Sequence, residues 1–291
     1  MNMPAAGIDQ PDTGVDRLDA GAIAAALGPR AHEIEIEVVE SCRSTNTALL
    51  DRPAEEVPRL HLLAAEIQTA GRGRHGRRWY GARGTAITFS VRRRMRRPLR
   101  ELGGASLAAG VAAARALRAL GASDIALKWP NDLLATGRNA GAKLGGILIE
   151  TRVQGKAAVA VIGVGVNWRA MPGLASRLRR RIAVLEELVR PVPPRNLVIG
   201  RIAAELLDVL DSFDASGLAA LREEWEALHA HAGKRIRVRL ADGSVLAGVP
   251  AGIADDGALR LRTRSGVRAL HSARVVSARA ENGPRPSGSA A

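Results

Sequence analysis

Between Glu33 and Glu40 the chain alternates acidic and apolar residues, "EIEIEVVE". A period of two predicts a strand with one face buried. The next segment, "STNTALLD" (44–51), opens with residues that cap helices well and predicts a helix directly after that strand. Further strand-like runs are "LHLLAAE" (60–66), "TAITFSV" (85–91), "IALKW" (125–129), "KLGGILIE" (143–150) and "AAVAVIGVGVN" (157–167). The last is apolar on both faces and belongs in the middle of a sheet. "DRLDAGAIAAALGP" (16–29) predicts a short helix stopped at Gly28-Pro29, and residues 103–121 a long one ending at a glycine. Residues 174–229 read as helical, with 196–213 the clearest amphipathic stretch.

Near Gly233 the pattern changes. Short alternating runs broken by "ADGS", "DDG" and "RSG" predict a small all-β barrel of about five strands. The expected organisation is a tail and short helix over 1–32, a larger α+β unit over 33–230 with helices packed on a mixed central sheet, the small barrel over 231–280, and a disordered tail over 281–291. Residues 1 to about 15 are expected to be disordered as well.

Composition narrows this picture. Hydrophobic residues make up 46% of the 291 but aromatics only 2%, so the core must be built from Ala, Leu, Val and Ile. The single cysteine, Cys42, excludes an internal disulfide and fits a reducing compartment. With no leader-like start and no apolar run long enough for a bilayer, a soluble cytoplasmic protein with no membrane partner is expected. A formal charge of +14 suits an anionic partner, and equally suits arginine-biased composition on solvated faces. Charge alone does not decide.

The placement of the arginines says more. "GRGRHGRRW" (71–79) lies between two strands and combines glycines, free to take positive φ, with guanidinium groups suited to carboxylate and phosphate oxygens. It fits a loop closing over an anionic ligand, with Trp79 as a flat face for a ring. A solvated or RNA-binding arginine loop is the alternative. It is not a Walker loop, lacking the terminal Gly-Lys-Ser/Thr. "KWPND" (128–132) sets Lys128 at a strand end before a turn carrying Asn131 and Asp132; an ordinary capped turn reads the same way. Lys143 is a lysine kept beside glycines in an arginine-rich chain, and Asn167 ends a buried strand with an amide that needs partners, from a ligand or from a turn.

Taken in order, "STN", the glutamine before "AGRGRHGRRW", "KWPND", "KLGGILIE", "GVGVN" and the C-terminal barrel resemble the biotin–protein ligases over about residues 33–280. The resemblance implies a class II aminoacyl-tRNA-synthetase-like catalytic unit with an SH3-like barrel. It also implies a two-step activity: biotin and ATP give biotinyl-5′-AMP and pyrophosphate, and biotin then passes to one lysine of the biotin carboxyl carrier domain of acetyl-CoA carboxylase.

It further implies roles for residues. Ser44, Thr45, Asn46 and Gln68 would hold biotin's ureido ring, and Arg72, Gly73 and Arg74 its carboxylate end and the adenylate phosphate. Arg77 would face the triphosphate, and Trp79 the adenine once the loop closes. Lys128 and Lys143, with Arg74, would carry the catalytic charge. Asn131 and Asp132 would line the nucleotide side, and Asn167 the adenine end. Mg²⁺ would arrive with ATP, possibly near Asp132, with no dedicated protein metal site. Ordering of residues 71–82 around the adenylate would shield it from water.

His75 stands where the family usually has arginine, which implies looser adenylate retention. Some thirty residues before the first strand leave no room for the winged-helix domain of the repressor-type ligases, so a ligase without DNA binding is expected. Edge strands of the central sheet could pair two subunits, as in some relatives. The rivals are a lipoate or octanoate ligase on the same scaffold and a basic nucleic-acid-binding module, the latter disfavoured by the scarcity of aromatic stacking platforms.

Overall fold

A computed structural model describes residues 16–53, 60–154 and 157–280. The two expected tails, 1–15 and 281–291, lie outside them. The elements in chain order are α1 (Ala20–Leu27), β1 (Ile34–Cys42), α2 (Thr45–Leu50), β2 (Leu60–Gln68), β3 (Ala86–Met95), α3 (Ala105–Ala119), β4 (Ile125–Lys128), β5 (Asp132–Ala135), β6 (Lys143–Gln154) and β7 (Ala157–Asn167). They continue with α4 (Leu174–Leu178), α5 (Leu185–Leu188), α6 (Arg195–Ser216), α7 (Arg222–Ala227), β8 (Lys234–Arg239), β9 (Val245–Ile253), β10 (Leu259–Thr263), β11 (Gly266–Leu270) and β12 (Arg274–Ala280).

The first seven strands form one mixed sheet in the order β1-β2-β3-β7-β6-β5-β4, parallel between β1 and β2 and antiparallel elsewhere. As its apolar pattern requires, β7 lies inside the sheet, between β3 and β6. Helices α1, α3 and α6 cover one face. With so few aromatics available, α3 packs through small side chains: Ala108, Ala109, Ala112, Ala113 and Ala116 are all buried. The α1–α6 crossing is equally close. A Cβ at Gly200 would sit 2.5 Å from that of Ala26, so only glycine fits there.

Residues 174–229 are not one helical stretch. Arg179 takes a left-handed conformation (φ 47°) that ends α4, residues 181–183 run extended beside Lys143, and Pro191, Pro193 and Pro194 hold the chain non-helical until α6. The four-residue β5 was read as part of a turn. It is too short for a period to register, and its pairing with β4 and β6 makes it a strand.

Strands β8 to β12 form a second, antiparallel sheet in the order β11-β10-β9-β8-β12. Its alternation is plain in β8, where Ile236 and Val238 are buried and Arg235, Arg237 and Arg239 are exposed. The two sheets meet at a tight seam. The fully buried Trp129 donates from Nε1 to the carbonyl of Gly257 at 3.0 Å, and a Cβ at Gly103 would lie 2.4 Å from the carbonyl oxygen of Asp256. The chain before α1 is fastened by Arg195, 1% exposed, which binds Asp16 and Glu66. No described helix is long and apolar enough to cross a membrane.

Candidate active site

The sheet face away from α1, α3 and α6 carries α2, and beside α2 lies a trough. Residues directly opposite across antiparallel strands share a face. One such row runs Lys128, Asp132, Gly146, Gly165, Thr88; the next runs Leu148, Gly163, Ser90. The three glycines form the floor; Gly163 and Gly165 have no room for a side chain, and one at Gly146 would push on the end of Lys143. A Cβ at Gly163 would meet Asn46 Oδ1 at 2.2 Å, one at Gly165 the indole of Trp79 at 2.7 Å, and one at Gly146 Lys143 Nζ at 3.0 Å. These contacts give the physical reason for the glycines of "KLGGILIE" and "GVGVN".

The trough wall is a hydrogen-bonded chain of neutral polar groups that ends on the Glu150 carboxylate. The Thr45 amide donates to Gln68 Oε1 at 2.8 Å, Thr45 Oγ1 lies 2.6 Å from Ser90 Oγ, and Ser90 Oγ donates to Asn46 Oδ1 at 2.6 Å. Asn46 Nδ2 donates to the Leu148 carbonyl and to Glu150 Oε2 at 3.0 Å. Ser44, Thr45 and Asn46 are each 3% exposed, so ordering these groups depends on one another rather than on water.

The arginine loop is a hairpin. Arg72 bridges Arg78, the Gly73 amide donates to the Arg77 carbonyl at 2.7 Å, and the Trp79 amide donates to the Gly71 carbonyl at 2.9 Å. At the tip His75 (φ 55°) and Gly76 (φ 69°) form the positive-φ pair of a hairpin turn, a conformation histidine tolerates better than most residues. His75 is therefore a turn residue, exposed and away from the lysines.

The returning strand of the hairpin lays Trp79 over Gly165. Trp79, expected against adenine once the loop closes, lines the trough with Thr45, Asn46 and Gln68 here, and the missing side chain of Gly165 admits the indole. Its buried Nε1 has no hydrogen-bond partner among the described residues. Arg72 turns to Glu150 Oε1 at 2.7 Å and to Thr47, apart from the lysines, and Arg78 donates to the Thr69 carbonyl.

Arg74 and Arg77 behave differently. Neither makes a side-chain hydrogen bond among the described residues; Arg74 lies near Asp132 and Arg77, Arg77 near Lys143 and Arg180, and Lys128 and Arg274 complete the set of cations on that side. Lys143 and Asp132 form an ion pair. Burial pushes the Lys143 ammonium below the ordinary lysine range, with Asp132 opposing the shift and Arg180 and Arg77 adding to it. Burial likewise lowers Lys128, again opposed by Asp132 and reinforced by Lys143, Arg274 and Arg180. A basin with this excess of positive charge is built for a polyanion.

Two predicted residues serve the scaffold. Both Nδ2 hydrogens of Asn167 go to backbone carbonyls, of Lys143 at 3.0 Å and Ala183 at 3.1 Å, so the turn, not a ligand, satisfies that amide. Asn131 Nδ2 donates to the Ile147 carbonyl at 2.7 Å and fixes the turn that presents Asp132. Conversely, sequence reasoning missed Ser90, Glu150, Arg180 and Arg274. A serine at a fully buried strand position and the lone acid closing "KLGGILIE" were available signals for the first two. Nothing marks Arg180 within "RLRRR", or Arg274 among many barrel arginines.

A family profile described as biotin/lipoate A/B protein ligase matches residues 38–167, and one described as biotin protein ligase C-terminal domain matches residues 231–276. The bifunctional ligase/repressor BirA of Escherichia coli is 34% identical over 227 residues, covering 78% of this chain and 68% of the relative. The biotin--[acetyl-CoA-carboxylase] ligase of Mycobacterium tuberculosis is 34% identical over 233 residues, covering 78% and 83% respectively. Among solved structures, the Aquifex aeolicus biotin protein ligase in complex with biotin and ATP superposes with a TM-score of 0.68 at 22% identity, covering 85% of this chain and 99% of the other. The last likeness speaks for the fold, and the first two carry the relationship: this chain belongs to the biotin protein ligase family.

Proposed function

We propose that the protein joins biotin to ATP and transfers the biotinyl group to a lysine of the biotin carboxyl carrier domain of acetyl-CoA carboxylase. One observation carries this reading. A hydrogen-bonding trough, whose one ion pair (Arg72 with Glu150) is internally neutralised, adjoins a cationic basin, with Lys143 at the junction beside Gly146. A ligand with a neutral polar ring at one end and a carboxylate at the other suits the trough, and a nucleoside triphosphate suits the basin.

In this reading Thr45, Asn46 and Gln68 hold the ureido group, with Ser44 beside them and the Trp79 indole against the ring system. The carboxylate reaches Lys143 and Arg74. Its oxygen attacks the α-phosphorus of ATP, and the bond from that phosphorus to the bridging oxygen breaks as pyrophosphate departs. The chemical difficulty is that two anions must meet. Lys128, Lys143, Arg74 and Arg77 lower that repulsion in a poorly hydrated site, where fixed charge acts most strongly. The acceptor lysine amine then attacks the anhydride carbonyl and AMP leaves. Asp132, the carboxylate among these cations, would be the side chain to hold the Mg²⁺ of the nucleotide, which would neutralise phosphate charge.

A lipoyl or octanoyl chain offers no partners for the Thr45–Ser90–Asn46 network, which favours biotin over those substrates. The relatives named for biotin point the same way. The test is incorporation of labelled biotin into a purified carrier domain. ATP-dependent labelling of one carrier lysine is expected, and absence of labelling despite biotin-dependent pyrophosphate release would remove the carrier assignment alone.

A further inference from the structure

Resting on the reading above and deepening it, we infer that Arg180 is a substrate-binding residue of the adenylation step, gripping the β- and γ-phosphates of ATP and the pyrophosphate they become. Arg180 sits on a strap, residues 174–183, that runs beside the start of β6. The Lys143 amide donates to the Arg181 carbonyl at 3.1 Å, and the Ala183 amide donates to the Lys143 carbonyl at 3.0 Å. Asn167 clamps the same place from β7 through its bond to the Ala183 carbonyl. The strap is thus fastened to the backbone of the lysine at the junction of trough and basin.

The arginines of the strap divide by their partners. Arg177 stacks on the ring of Tyr80, 4.3 Å from its centroid, and ties the strap to the exit of the arginine hairpin. Arg181 donates to the Ala140 carbonyl at 2.9 Å. Arg179 makes the left-handed turn that ends α4. Arg180 has no side-chain hydrogen bond or ion pair among the described residues, and the charges near it are Asp132, Arg77, Arg274 and the two lysines, Lys128 and Lys143. A guanidinium held against two others, with one shared carboxylate already paired to Lys143, is arranged for an anion from outside.

The position fits the departing end of ATP. Arg180 shares the cationic cluster of Lys143 and Arg77 but does not line the trough, so with the carboxylate at Lys143 the phosphates beyond it come within reach of Arg180. As the bond from the α-phosphorus breaks, negative charge grows on the leaving pyrophosphate, and a fixed guanidinium there stabilises the transition state more than the ground state.

The test separates the two half-reactions in the full-length protein. Adenylation is followed by biotin-dependent exchange of ATP with labelled pyrophosphate, and transfer by supplying preformed biotinyl-5′-AMP, which has no β- or γ-phosphate, to a carrier domain. For Arg180→Ala, kcat/KM for ATP should fall about 10- to 100-fold, while KM for biotin and transfer from biotinyl-5′-AMP stay within about twofold. Arg180→Lys should recover most of the loss. Unchanged ATP dependence in Arg180→Ala overturns the inference, and so does an equal fall in both half-reactions, which would mark a strap that merely supports the site. Absence of exchange in the parent protein overturns the ligase reading itself, which keeps the two failures distinct.

Discussion

Gly163→Ala places one methyl group where the structure has no space for it. The added Cβ would lie 2.2 Å from Asn46 Oδ1 and 3.0 Å from its Cγ, against roughly 3.5 Å for an ordinary contact, so something must move by about 1 Å. Strand β7 is held on both sides by β3 and β6, so the asparagine yields rather than the backbone. Asn46 is 3% exposed and binds Ser90, the Leu148 carbonyl and Glu150; displacing it breaks a bond to a charged partner inside the protein. Overpacking costs about 1–3 kcal/mol, and a hydrogen bond to a charged group contributes about 1.5–3 kcal/mol. The two overlap, so a stability loss of about 2–4 kcal/mol is expected, together with biotin affinity lowered about 10- to 100-fold. Urea unfolding and calorimetric titration with biotin measure the two effects. Gly165→Ala supplies the internal comparison. Its Cβ meets the Trp79 indole, on a hairpin open to solvent that can lift, so it should weaken biotin binding at a smaller stability cost. Parental biotin affinity in Gly163→Ala, or a larger stability loss in Gly165→Ala, would refute the assignment of this trough.

Other outcomes follow from the same structure. Lys143→Ala should slow adenylate formation at least about 100-fold, read by pyrophosphate exchange. Its urea midpoint should change little, because Asp132 still faces Lys128, Arg74 and Arg180; an unchanged exchange rate would exclude Lys143 from the chemistry. Burial lowers His229 to about 3 and His231 to about 4, each with an unpartnered ring nitrogen. The unfolded chain therefore binds more protons than the fold below pH ~6.5, and stability should decline as pH falls from ~6.5 towards 4. Urea midpoints at pH 7.5 and 5 test this decline, and ring NMR signals titrating near 6.5 would contradict it. At the hairpin tip His75→Asn should keep adenylation near the parental rate while His75→Val lowers it, since a β-branched residue resists positive φ. Equal rates in the two variants would show that the turn geometry does not matter.

Much of this was legible in the sequence because the signals were local. Alternation revealed β1 and β8, a doubly apolar run revealed the interior position of β7, and the clustering of glycine with arginine or lysine marked the trough floor and the basin. What escaped depends on distant pairing. Strand β5 exists because β4 and β6 flank it, and nothing in four residues announces that. Nothing local in the sequence tells where the Trp79 indole rests; the register of the hairpin and the bare backbone at Gly165 put it over the sheet. Asn167 looked like a ligand contact because its two carbonyl partners lie 24 and 16 residues away along the chain. Arg180 and Arg274 become distinct from other arginines only when the strap and the second sheet bring them beside Asp132.

The seam at Trp129 limits how far such an enzyme can be trimmed. The residue joins Lys128 to the turn bearing Asp132, and its indole nitrogen hangs from Gly257, beyond the first sheet. A shortened version stopping before β8 would strip that indole of its partner and loosen the lysine–aspartate corner on one side. Minimal labelling reagents based on this scaffold should therefore retain the C-terminal portion even where it makes no contact with biotin.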